Sequence, residues 1–207
     1  MRYMRYFGRL LRSFVYDFRR LFGDEMRQRV SHNDFASYRA ARLYPGYLQF
    51  GAAMEGVRPL ALRYCKGKGV DIGAGIWPLP GARAIENGSR ENAYRIEEAD
   101  AALDFVFSSH VLEHLDDPER ALKEWTRVLA PGGVMVLYLP HPACRMWLPQ
   151  HNPHHLWQPD PCVLEDRFRA SGEFEVEYAT HLPDGMLSFV LVVRRRAGRR
   201  ADSRSDT

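Results

Sequence analysis

The sequence predicts an α/β fold: an open, mostly parallel sheet that finishes in an antiparallel hairpin. Three stretches carry this expectation. Val70-Asp71-Ile72-Gly73-Ala74-Gly75 reads as a short buried strand ending in a carboxylate and a glycine turn. Leu103-Asp104-Phe105-Val106-Phe107 is almost continuously apolar, as parallel strands covered on both faces are. Residues 174–181 and 187–195 alternate apolar and polar side chains around Pro183-Asp184-Gly185, the pattern of a hairpin.

Taken in order, Tyr3, Phe7, Leu10, Leu11, Phe14, Phe18, Leu21 and Phe22 recur at helical spacing, with arginines mostly between them. This basic amphipathic helix suits packing on the domain or on a second subunit in a homodimer. The alternative is a helix lying on an anionic membrane surface through residues 1–22. Residues 31–69 read as one or two more helices, so residues 1–66 form a helical extension and residues 67–196 the main domain. Lys66-Gly67-Lys68-Gly69 turns into the first strand, and Ala84-Ile85-Glu86 forms a short second one. Asp117-Pro118-Glu119 opens a helix, because proline suits its first turn and the acids suit the positive end of its dipole. That helix runs to about Leu129, Pro131-Gly132-Gly133 stops it, and a strand follows over residues 134–139. A further helix spans residues 163–171. The segment 197–207, rich in Arg, Ser and Asp, is expected to be a disordered basic tail.

The net charge of +3 is uneven. Residues 1–30 carry +5 and residues 194–207 carry +4, which leaves the body at −6. An acidic body argues against a nucleic-acid groove. No run of about 18 apolar residues occurs, so no transmembrane helix is expected. Arginines interrupt the apolar runs of the first twenty residues, unlike a secretory leader. Cys65, Cys144 and Cys162 form no paired motif and read as free thiols in a reducing cytoplasm. The expected location is cytoplasmic, or peripheral to the inner face of the membrane.

The order of these elements resembles the class I S-adenosylmethionine-dependent methyltransferases, of the type 11 kind, over about residues 68–195. The most specific part is residues 103–115, where Ser108-Ser109-His110 ends a strand and Glu113-His114 follows, together with Leu129-Ala130-Pro131-Gly132-Gly133. The resemblance implies a Rossmann-like sheet with S-adenosylmethionine as cofactor. It implies cofactor contacts from Asp71, Gly73, Ala74 and Gly75, and from Glu86 to the ribose diol. Asn92 and Ala93 would face the adenine, and Ser108 and Ser109 would lie near the reactive methyl. Trp77 stands where the family usually has a third glycine, and it would cover the cofactor from a Trp-Pro loop. Only fifteen positions separate Asp71 from Glu86, and six separate Glu86 from Asn92. Neither gap holds a helix of ordinary length plus its loops, so the first two crossovers are expected to be cut short.

Residues 140–162 hold six prolines, Trp147, Trp157, His141, His151, His154 and His155. We read them as a substrate loop, with Trp147, His154 and Trp157 as substrate contacts. Deprotonating an acceptor hydroxyl calls for a base, and histidine, with an ordinary pKa of about 6.5, is the natural one. His110, His141 and His155 are the candidates. His141, Cys144, His151, His154, His155 and Cys162 match no familiar zinc spacing, and an ion held by histidines and Asp160 is the weaker alternative; no metal is assigned. The expected function is S-adenosylmethionine-dependent O-methylation of a saccharide or surface-glycan precursor. A small metabolite is the next acceptor class. A catalytically silent scaffold and a nicotinamide-dependent oxidoreductase are the rivals.

Overall fold

The computed structural model describes residues 57–75, 78–88, 90–143, 147–150, 152–184 and 187–197. The amphipathic stretch over residues 1–22, Trp77, Cys144, His151 and the tail from residue 198 lie outside them. The elements are α1 (Arg58–Tyr64), β1 (Gly69–Ile72), β2 (Arg83–Ile85), β3 (Leu103–Ser109), a 3-10 turn (Leu112–His114), α2 (Pro118–Val128), β4 (Leu129–Pro140), α3 (Pro161–Ser171), β5 (Phe174–Ala179) and β6 (Ser188–Arg195). They build a six-stranded sheet in the order β2-β1-β3-β4-β6-β5. Its first four strands are parallel. β6 runs antiparallel to both β4 and β5.

The parallel strands form where the sequence is most continuously apolar. All four residues of β1 are buried, as is every residue of β4 from Val134 to Pro140. Ile72 pairs with Ser108 and with Ile85, which brings the carboxyl ends of β1, β2 and β3 to one edge. α2 and α3 cover one face of the sheet, where Trp125, Val106, Leu137 and Phe189 share a core. α1 packs on the other, where Ala61 and Cys65 meet Phe107, Val136 and Tyr138. Burial, with Asp71 beside it, pushes the Cys65 thiol up to about 12, and both Cys65 and Cys162 are free.

α2 begins at Asp117, whose side chain accepts from the Arg120 N–H, with Pro118 in the first turn. Ala121, Leu122, Trp125 and Val128 fall on its buried face. α3 is capped by Asp160, which accepts from the Cys162 and Val163 N–H groups. It begins two residues earlier than the sequence suggested because Pro161 fills its first turn. β4 also starts early, at Leu129, which pairs with Leu103. An irregularity between Leu103 and Phe105 then takes up the extra residues Pro131-Gly132-Gly133. Gly133 has no room for a side chain, since a Cβ there would stand 2.9 Å from the Ala130 carbonyl oxygen.

Among the described residues, neither crossover on the β2 side contains a helix. The described residues between β1 and β2 include Gly73, whose N–H donates to the Ile85 carbonyl. The described residues among 86–102 make turns and one isolated bridge, Asn92 with Arg95, where a third outer strand would stand. Side chains do the work of the missing elements. Arg127 of α2 donates to the Ile96 and Glu98 carbonyls and pairs with Asp100 and Glu124. The Ile96 N–H donates to Glu124. Trp125 Nε1 donates to the Ala93 carbonyl at 2.8 Å. Arg83 of β2 pairs with Glu91 and Glu98.

Candidate active site

The carboxyl edge of the parallel strands gathers the polar residues that the sequence singled out. Gly73 leaves β1 with φ 72° and lies against Val111, where a Cβ would overlap the valine Cγ2. Gly75 follows with φ 59°. Asp71 is 2% exposed, and its Oδ2 accepts from the Leu79 N–H at 2.7 Å. Burial pushes its carboxyl up to about 7; the bond from Leu79 opposes this and the Glu86 charge adds to it. Asp71 therefore ties the strand tip to the loop that replaces the first crossover helix. Glu86 is exposed just past β2, and its Oε1 accepts from the Gly75 N–H at 2.6 Å. Ala74 is buried at 3%.

Asn92 shapes the bridged turn. Its Oδ1 accepts from the Tyr94 N–H, and its Nδ2 donates to the Gly88 carbonyl. Ala93 is held through its carbonyl by Trp125. Ser108 is fully buried and donates to the Ile72 carbonyl at 3.4 Å. Ser109 Oγ is buried with no hydrogen-bond partner.

At the tip of β3, His110 takes φ 52°, a left-handed backbone uncommon outside glycine. Its N–H donates to the Tyr138 carbonyl, and its ring packs edge-on against Tyr138 and Trp147. Nε2 lies 2.8 Å from Ser188 Oγ, and Nδ1 lies 3.2 Å from Glu113 Oε1. Ser188 is buried at the start of β6, where its N–H donates to Asp184 Oδ1. A hydroxyl, an imidazole and a carboxylate thus stand in line.

The 3-10 turn points Glu113 inward and His114 outward. Glu113 is fully buried, and neither of its oxygens has a hydrogen-bond donor: His110 makes an ion-pair contact without the alignment of a full bond. Burial alone pushes this carboxyl up, but His110 and the neighbouring His114 and His155 rings outweigh it and hold it below the usual carboxylate range. His114 Nε2 is 3.8 Å from Glu113 Oε1, while its Nδ1 meets the His154 carbonyl at 2.7 Å. His155 is buried, with Nδ1 on the Trp147 carbonyl at 2.7 Å and its ring stacked on Trp147. Burial pushes its pKa down to about 4 despite the Glu113 charge, so its ring is neutral at pH 7.

The structure thus draws His110 and His155 together and separates the other loop candidates. His141 is 7% exposed; its Nε2 meets the His181 carbonyl and its Nδ1 accepts from the Ala143 N–H. With both nitrogens held by backbone, it has no free position for a substrate proton. Trp147 is 1% exposed and donates to the Leu187 carbonyl. Trp157 donates to the Leu112 carbonyl and packs on the core. Trp147 is turned inward, which takes away the flat face expected for substrate stacking, while Trp157 is half-buried. His154 is exposed and contributes its backbone carbonyl to His114. Asp160 serves as a helix cap rather than a ligand. From the sequence, Ser188 and Asp184 are not expected at the site, and Glu113 and His114 are expected chiefly to cap and pack the following helix; the Glu-His pair after a strand tip is the signal available.

Among the described residues, a hollow of about 520 Å³ lined by Arg63, Lys66, Asp104, Gly132 and Arg194 opens at the opposite end of the strands. Ligands of open parallel sheets bind at the carboxyl ends instead, where the groups above converge.

A methyltransferase-domain family model matches residues 48–137. No curated protein matches the chain. Among solved structures, the fold is similar to a chain from the complex of the Haloferax volcanii Trm112 methyltransferase activator with a methyltransferase: TM-score 0.56, 12% identity, 80% of this chain and 99% of that one. It is similar to a Thermotoga maritima S-adenosylmethionine-dependent methyltransferase at TM-score 0.53 and 18% identity, covering 80% and 99%. An Archaeoglobus fulgidus S-adenosylmethionine-dependent methyltransferase gives TM-score 0.52 and 16% identity, covering 72% and 97%. These similarities speak for the fold.

Proposed function

We propose that the chain, which matches a methyltransferase-domain family model over residues 48–137, is a class I S-adenosylmethionine-dependent methyltransferase that methylates a hydroxyl oxygen, with His110 as the base and a saccharide or glycan precursor as the first acceptor class to test. S-adenosylmethionine is its cofactor and supplies a methyl group already activated on a sulfonium. The donor set fits this molecule. Glu86 is an exposed carboxylate with two oxygens for a vicinal diol, and only Oε1 is used by Gly75. Gly73 and Gly75 keep side chains away from the turn. Asp71 offers a buried carboxyl whose ionised form an amino group would favour, and Ser109 Oγ is an orphaned buried hydroxyl at the tip of β3.

The placement of His110 carries the proposal. A non-glycine residue held in the left-handed region is kept only where its surroundings fix it, and such residues cluster at working sites. The imidazole is backed by the Glu113 carboxylate, which stabilises the ring once it takes the proton from the acceptor hydroxyl. The Ser188 hydroxyl on Nε2 holds the ring in place or relays that proton. The methyl–sulfur bond breaks as the methyl–oxygen bond forms, and alignment supplies the rest.

Two measurements test this. The purified chain should bind S-adenosylhomocysteine at micromolar concentration and not NAD. Given labelled S-adenosylmethionine and a panel of saccharides and amines, it should label oxygens of the saccharides. Transfer to amine nitrogen alone would overturn the hydroxyl reading. His110→Asn tolerates the same backbone and should lower kcat about 10²–10⁴-fold while leaving S-adenosylhomocysteine affinity unchanged.

A further inference from the structure

We propose that Glu113, His114 and His155 form a binding site for a divalent transition-metal ion at the edge of the catalytic centre. One ligand atom from each of the three lies within 4.8 Å of the others. Glu113 is fully buried; its Oε1 has the His110 Nδ1 contact at 3.2 Å without full hydrogen-bond alignment, and its Oε2 receives no hydrogen bond. A carboxylate taken out of water without donors costs several kcal/mol, and native structures avoid this unless a cation meets it.

The two imidazoles are already oriented for such a cation. His114 gives its Nδ1 to the His154 carbonyl and His155 gives its Nδ1 to the Trp147 carbonyl, each at 2.7 Å. A carbonyl oxygen only accepts, so each Nδ1 carries the proton and each Nε2 carries a lone pair. Metal-bound histidines are held in this way, their second nitrogen tied to a carbonyl or carboxylate. The rings of His114 and His155 meet edge-on at 4.8 Å, beside the Glu113 carboxylate.

Two imidazoles and one carboxylate on one side of an ion favour zinc, iron(II) or cobalt(II) over magnesium or calcium. Bonds of about 2.0–2.2 Å place neighbouring ligand atoms roughly 3 Å apart. The His114 ring is 40% exposed and has the freedom to close the remaining distance. The same exposure leaves coordination positions open toward solvent, where an oxygen ligand enters. Glu113 has lone pairs enough to serve the ion and His110 together. The ion site draws on local geometry alone and stands whether or not the acceptor is a hydroxyl.

The test uses the full chain, stripped with a chelator and titrated with Zn²⁺ and with Co²⁺. We expect one high-affinity Zn²⁺ per chain by elemental analysis, and visible d–d absorption with Co²⁺. Glu113→Gln keeps every histidine and the side-chain shape, and His114→Ala removes a half-exposed ring; each should weaken binding at least on the order of 100-fold. His154→Ala, which keeps the carbonyl, should bind as wild type. No stoichiometric ion on the wild-type chain, or unchanged affinity in both Glu113→Gln and His114→Ala, would overturn the site. Loss of binding in His154→Ala alone would move the ion to the surface histidines and overturn it equally.

Discussion

Asp71→Asn tests how the turn after β1 is held. Asp71 is buried at the strand tip, and its pKa of about 7 compares with 3.8 for an unperturbed aspartate. The folded state holds the proton more tightly than the unfolded chain. Its contribution to stability is therefore full below pH 3.8 and is lost as pH rises through about 7. Between pH 5 and 8.5 the loss amounts to about 3 kcal/mol. Asparagine keeps an oxygen for the Leu79 N–H and cannot ionise, so it removes that slope. Urea unfolding of both proteins across this range isolates the effect of Asp71 and the groups coupled to it, because titrating groups far from it cancel in the difference. The variant should gain on wild type by about 3 kcal/mol from pH 5 to 8.5. A cofactor amino group beside Asp71 favours the ionised form. Binding of S-adenosylhomocysteine to wild type should then strengthen through pH 7, and the variant should lose this dependence. A stability difference that stays constant with pH would refute the buried neutral carboxyl.

Other outcomes follow from the same coordinates. Gly73→Ala combines a left-handed backbone with overlap on Val111 and should cost about 3 kcal/mol or more in thermal unfolding. Trp125→Ala empties a fully buried site and frees the Ala93 carbonyl, for a loss of about 3–5 kcal/mol by chemical denaturation. Arg127→Ala cuts the ties to residues 96–100; faster amide hydrogen exchange should appear there while β4 stays protected. His141→Ala should lower melting temperature without changing kcat per folded molecule, since both ring nitrogens serve backbone.

The sheet was readable where its signals are local. The strand-helix-strand run from Leu103 to Pro140 appears because burial on both faces demands continuous apolar residues and Asp117-Pro118 caps the helix between them. The short crossovers followed from counting positions between Asp71, Glu86 and Asn92. Side-chain direction in the proline-rich loop was not readable. Trp147 points inward because its partner is the Leu187 carbonyl, forty residues away. Trp157 answers to Leu112, and the Leu156 N–H answers to the Glu113 carbonyl. Such pairings depend on the finished fold, and no spacing rule encodes them. The same holds for Glu113, whose inward turn rests on one 3-10 step.

The short crossovers also decide how the sheet ends. Among the described residues no strand lies beyond β2, so β2 is the border there, and an exposed border invites another chain to add on. This one presents only Arg83-Ala84-Ile85, and Arg83 is locked across it to Glu91 and Glu98. The far border, β5, shows Glu175 and Glu177 to solvent, with Glu177 paired to Arg194. Charge at both borders disfavours the edge-to-edge addition of a second chain, so the sheet ends in two guarded rims.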